Sequence, residues 1–223
     1  MFTVEDIEYM TARLQKRGAT LVGEMVQYEN TYRLCYLRGP EGIMVGLAEE
    51  LDKTAAAPGK SKTSALLSMD NVLIVVEDLE AARAFFLELG LEPEWETTVE
   101  GPLVDKLIGL KGVRSTLALM RTPDGHGRIE LDKFHSPGAI RLVPEDAPVN
   151  TLGIRRIMFA VDDIDDSVAR LSALGAELVG EVVQFEDTYR LCYMRGPEGI
   201  ITALAEQLGS KTATDILNAS QKK

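Results

Sequence analysis

The chain offers few side chains for chemistry. It has two histidines, His126 and His135, and two cysteines, Cys35 and Cys192. His126 stands in a Pro-Asp-Gly-His-Gly turn, and His135 follows a strand that carries Glu130. A metal shared by Glu130 and His135 would need both on one face. Five residues apart along a strand, they point to opposite faces. Both histidines are therefore expected on exposed loops. Cys35 and Cys192 lie within apolar strands and have no histidine near them in sequence, so they read as buried small hydrophobes. No glycine-rich phosphate loop, Cys-x-x-Cys pair or Gly-x-Ser-x-Gly elbow occurs, so nucleotide binding and serine hydrolysis have no support. Arg33, Tyr36, Tyr189, Arg190 and Tyr193 fall on strands. There a polar tip either lines a cavity or reaches water from the sheet face. Trp95, the single tryptophan, covers either the core or a pocket.

A repeat positions these residues. Residues 1–51 and 158–208 align without a gap at an offset of 157, with 33 of 51 positions identical. The two cysteines are thus one position copied twice, not a pair. The middle of the chain is a more distant third copy. Each unit reads strand, helix, then three strands. Ile157, Phe159 and Val161 alternate with Arg156, Met158 and Ala160, which is strand spacing. Asp163 can cap a helix striped by Ile164, Val168 and Leu171, with Gly175 as its stop. In the middle copy Val72, Ile74 and Val76 alternate, then Asp78 leads a stripe of Leu79, Ala82, Phe86 and Leu89 before Gly90. Pro40-Glu41-Gly42, Pro123-Asp124-Gly125 and Pro197-Glu198-Gly199 mark a turn before each final strand. The predicted organisation is an extra unit at 1–51 with a truncated first strand, a linker at 52–67 and a unit at 68–134. A second linker at 135–150, a unit at 151–208 and a flexible tail at 209–223 complete it.

Composition bounds the partners. The 223 residues carry a formal charge of −11, with 45% hydrophobic and 26% charged residues. Such a chain is globular, and its acidity opposes phosphate backbones and anionic membrane surfaces. No run is long and apolar enough for a membrane span, and the N-terminal sequence shows no export pattern. The expectation is a cytoplasmic protein that handles a small molecule and binds neither nucleic acid nor membrane.

The tandem βαβββ pattern resembles the vicinal oxygen chelate superfamily, which includes glyoxalase I, extradiol dioxygenases and the bleomycin resistance proteins. The resemblance is carried by residues 75–86 (Val-Val-Glu-Asp-Leu-Glu-Ala-Ala-Arg-Ala-Phe-Phe) leading into Leu89-Gly90. Residues 159–164 (Phe-Ala-Val-Asp-Asp-Ile) and the Pro-x-Gly turns carry it equally. It implies an α+β, glyoxalase-like fold in which tandem units pair into a cupped mixed sheet around an open cavity.

The resemblance also implies a divalent metal there, held by a first-strand histidine and a last-strand glutamate of each unit. The matching positions are Asn71 and Glu130 in the middle unit, and Arg156 and Ala203 in the last. Of these only Glu130 is a metal-ligand type, and an arginine repels a dication. The resemblance thus leads to a scaffold with no metal and no other cofactor. The alternatives are a lyase or dioxygenase using zinc, nickel, manganese or iron through a non-standard ligand set, and a non-catalytic assembly scaffold. Alternation turns Leu73 with Asn71, and Met158 with Arg156, toward the cavity. An Arg156–Glu130 ion pair flanked by Asn71 is expected to anchor a polar or anionic organic ligand. Residues 68–208 are expected to form the working pair of units, because the last unit keeps a full first strand at 154–161. The extra N-terminal unit would then self-pair or swap in a homodimer.

Overall fold

The computed structural model describes residues 1–51 and 66–209; most of the predicted first linker and nearly all of the tail lie outside these. The N-terminal copy comprises β1 (Phe2–Val4), α1 (Ile7–Gln15), β2 (Thr20–Leu21), β3 (Val26–Tyr28), β4 (Tyr32–Arg38) and β5 (Met44–Glu50). The middle copy comprises β6 (Leu66–Met69), β7 (Val72–Val75), α2 (Leu79–Glu88), β8 (Glu92–Glu100), α3 (Pro102–Ile108), β9 (Arg114–Arg121) and β10 (Arg128–Ser136). The C-terminal copy comprises β11 (Ile157–Val161), α4 (Ile164–Ala173), β12 (Glu177–Leu178), β13 (Val183–Phe185), β14 (Tyr189–Arg195) and β15 (Ile201–Gln207). The fold is α+β with mixed sheets. No helix among the described residues is long and apolar enough to cross a membrane.

Local chemistry repeats between the two near-identical copies. Asp6 caps α1 by accepting from the Tyr9 N–H at 2.9 Å, and Asp163 caps α4 by accepting from the Asp166 N–H at 2.9 Å. The Pro-Glu-Gly turns are single 3-10 turns in which Glu41 and Gly42, and again Glu198 and Gly199, take left-handed φ angles. Glycine makes the second of these positions free of Cβ strain. Arg33 bridges Glu8 on α1 and Glu49 on β5, and Arg190 bridges Asp165 and Glu206 in the same way. These two arginines tie helix to sheet. Under α1, Ile7, Cys35, Leu37 and Leu47 form the core of the N-terminal copy. Leu47 is 2% exposed, so Leu47→Ala is expected to cost about 2–5 kcal/mol, measurable by urea unfolding.

The chain divides into two compact units, and their membership differs from the expected pairing. One unit is Met1–Leu79 with Gly90–Ile140, so the N-terminal copy joins the middle copy. Its first sheet runs β2-β4-β5-β1-β6, with β3 on β4, and its second runs β7-β10-β9-β8. The expectation set the middle copy with the last; in this unit the middle copy shares its contacts with the N-terminal one. The truncation of β1 does not leave it with an open edge, because β6 fills that edge antiparallel, with Phe2 opposite Met69 and Thr3 opposite Ser68. In addition α3 seats on the turn before β3, where the Glu24 N–H donates to the Lys106 carbonyl at 2.7 Å.

The other unit is Glu80–Leu89 with the described residues from Arg141 onward. Its sheet runs β11-β15-β14-β12, with β13 on β14. The Phe86 ring lies 6.3 Å from Phe159, and Arg170 reaches Glu88 at 2.9 Å, which fixes α2 to this sheet and α4. The predicted strand at 154–161 is shorter in the structure: residues 154–156 are not strand.

Candidate functional site: an acidic cavity in the first unit

Residues of the first unit line an open cavity of about 430 Å³. Its walls are mostly apolar: Val26 and Leu34 from the N-terminal copy, Leu73 from β7, Leu117 from β9, and Leu103 and Leu107 from α3. Trp95, Tyr28, Tyr32 and Tyr36 add aromatic surface. The acidic lining residues are Glu50, Asp70, Glu130 and Asp132, and Met1 brings its terminal amine beside them; among the described residues no lysine, arginine or histidine lines the cavity.

Two carboxyl groups form its polar floor. Glu130 and Asp132 stand two residues apart on β10, so both side chains emerge on one face. They are only 9% and 4% exposed. The Asn71 amide donates to Glu130 Oε2 at 2.5 Å, and the Ser115 hydroxyl donates to Asp132 Oδ1. Burial pushes the Glu130 carboxyl above its ordinary value, against the opposing pull of the Met1 amine and the Asn71 bond. Burial, with the charge of Glu130 beside it, pushes Asp132 up to about 7. The Tyr36 phenol is likewise pushed up, by burial first and then by Glu130 and Asp132. Near neutrality the floor therefore exchanges a proton without the phenol ionising.

The structure brings together Asn71, Leu73 and Glu130 around this cavity. It does not bring Arg156 or Met158 there. Arg156 belongs to the second unit, where its guanidinium sits 5.1 Å from the centre of the Tyr193 ring. Met158 is 51% exposed and Ala203 is fully buried in that same unit. Within their own units Arg156 makes a cation–π contact and Glu130 an amide–carboxylate bond. His126 lies in an exposed turn. His135 ends β10 and is not in a loop, with Nε2 2.8 Å from Thr116 Oγ1. Both cysteines are buried, and burial raises their thiols.

Sequence reasoning missed Asp132, Ser115 and α3. Asp132 was findable, because period-two alternation from Glu130 places it on the same face. The helix had its own signature: Pro102 at the first turn after Gly101, and Gly109 as a left-handed C-cap.

The Glyoxalase/Bleomycin resistance protein/Dioxygenase superfamily model matches residues 68–204. A glyoxalase family protein from Bacillus cereus is 53% identical, with a TM-score of 0.64, covering 67% of this chain and all of that one. Glyoxalase I from Zea mays is 14% identical with a TM-score of 0.61, covering 98% of this chain and 68% of that one; that likeness is of fold alone. No curated protein matches the chain.

Superfamily members often use a divalent metal, and the residues here do not fit one. Among the described residues no three His, Cys, Asp or Glu side chains are grouped to hold an ion. Glu130 Oε2 accepts from the Asn71 amide. In the N-terminal copy the position matching Ala203 is Gly46, and a Cβ there would meet Tyr36 Cε1 at 2.8 Å and Met1 Sδ at 2.9 Å. The space for a ligand side chain is already filled. With a family model spanning most of its length, mixed sheets of the glyoxalase type and an altered floor, the chain belongs to the glyoxalase/bleomycin resistance/dioxygenase superfamily.

Proposed function

We propose that this protein binds a small organic molecule without a metal. The ligand has an apolar or aromatic body and a cationic or hydrogen-bond-donating head. The observation that supports this is the pairing of Glu130 with Asp132 at the floor of an otherwise apolar cavity. Two buried carboxyls accept hydrogen bonds from an ammonium strongly, and a carboxylate ligand would be repelled.

Paired probes test the reading. The amine 4-phenylbutylamine should raise the melting temperature by mass action, and 4-phenylbutyrate should not. Because Asp132 titrates near 7, amine affinity should rise between pH 6 and pH 8, approaching roughly tenfold as the ionised fraction grows. Trp95 in the cavity wall supplies a fluorescence readout. Preference for the carboxylate would overturn the proposal. So would stoichiometric zinc, nickel, manganese or iron in purified protein that Glu130→Gln removes.

A further inference from the structure

One turn in the C-terminal copy holds a peptide segment, and its twin in the N-terminal copy stands open. Residues 38–43 and 195–200 both read Arg-Gly-Pro-Glu-Gly-Ile. Their backbones agree closely: φ is 54° at Glu41 and 58° at Glu198, and 75° at Gly42 and 74° at Gly199. In the second unit the segment from Arg141 to Ala147 seats on this turn. Arg195 donates to the Glu145 carbonyl through Nη1 at 2.5 Å and to the Ala147 carbonyl through Nη2 at 3.0 Å. Arg141 pairs with Glu198. Gly199 lets the Glu145 backbone close in, since a Cβ there would stand 2.5 Å from the Glu145 carbonyl oxygen. The Ala147 N–H donates to the Pro144 carbonyl at 3.1 Å, so the seated segment ends in a turn of its own.

The N-terminal copy keeps this receptor and shows it to solvent. Arg38, Glu41 and Gly42 are exposed, where Arg195, Glu198 and Gly199 are half-buried. Arg38 reaches only the Gly42 carbonyl, at 3.5 Å, which is too long for a strong bond. We infer that this turn is a docking site for a peptide segment of a partner protein. That segment carries a basic side chain three residues before a proline-led turn, as residues 141–147 (Arg-Leu-Val-Pro-Glu-Asp-Ala) do. Its basic group meets Glu41, and two carbonyls of its turn accept from the Arg38 guanidinium, a rigid fork that suits paired acceptors. The receptor backbone is already in the holding conformation, so only the peptide pays an ordering cost. A second copy of this chain is not the source, because its own segment is seated and tethered beside its own turn. Arg155, outside the repeated stretch, adds a further bond to the Ala147 carbonyl at 3.1 Å. A free peptide on the N-terminal copy lacks that bond and should bind weakly, with a dissociation constant on the order of 0.1 mM.

A labelled synthetic peptide of residues 139–149 (Ala-Ile-Arg-Leu-Val-Pro-Glu-Asp-Ala-Pro-Val), titrated with the full chain and followed by fluorescence anisotropy, tests this. Saturation at one site per chain is expected. Glu41→Arg changes an exposed side chain, so the variant should keep its melting temperature while binding the peptide at least about fivefold more weakly. A peptide carrying Arg141→Glu should recover the affinity on that variant and bind the wild-type chain poorly. No binding at millimolar chain overturns the proposal. A Glu41→Arg variant that binds the original peptide as tightly as wild type overturns it as well. So does a loss that the charge-reversed peptide fails to recover, because Glu41 then does not meet the basic group.

Discussion

Gly23→Ala should destabilise the cavity-bearing unit by about 3 kcal/mol or more. A Cβ at Gly23 would lie 2.5 Å from the Leu107 carbonyl oxygen and 2.8 Å from the Gly109 nitrogen, and closer still to the Lys106 carbonyl oxygen. These are backbone atoms at the end of α3, and they cannot rotate aside. The helix would have to leave the N-terminal sheet, taking Leu103, Val104 and Leu107 out of the cavity wall. The twin position makes the control. Gly180 has nothing within 4 Å but takes a φ of +96°, so Gly180→Ala should cost only backbone strain, roughly 1 kcal/mol. Urea unfolding of the two variants measures the difference. Equal losses would mean that α3 does not seat on Gly23.

Asp132→Asn should stabilise the protein at pH 8 and leave it unchanged near pH 4. The Asp132 carboxyl sits near 7 in the folded chain, raised from 3.8. Between these values the folded state keeps a proton that the unfolded chain releases. Stability from this group therefore falls as pH rises from about 4 to about 7, then stays flat. Asparagine removes the ionisation and keeps an oxygen for the Ser115 hydroxyl to donate to. A tenfold change in proton affinity is worth about 1.4 kcal/mol. Solvent in the cavity screens part of the effect, so the gain at pH 8 should be on the order of 2 kcal/mol. Denaturation at both pH values checks it. A variant less stable than wild type at pH 8 would show that Asp132 is ionised and well solvated in the fold.

The scaffold was legible because periodicity and capping are local. The stripe under α4 and the caps at Asp6 and Asp163 depend on neighbours a few residues away. Asn71, Leu73 and Glu130 were legible too, since alternation fixes which face each side chain takes. The choice of partner was not legible. The Leu-Val-Gly-Glu stretches at 21–24 and 178–181 are identical, yet Gly180 is left-handed and Gly23 is not. Docking of α3 on one copy sets that difference, and docking is a long-range event. Strand length alone favours the C-terminal copy, but β6 supplies the edge that the short β1 lacks.

The central claim is that the N-terminal copy is closed against the middle copy. Val26 and Val183 occupy the same position in the two copies, at 6% and 61% exposure. With Cys35 and Cys192 both buried, the thiols introduced by Val26→Cys and Val183→Cys can be followed separately with a chromogenic disulfide reagent. The account predicts that the thiol at position 183 reacts at least about tenfold faster than the one at position 26. A faster reaction at position 26 would contradict the account.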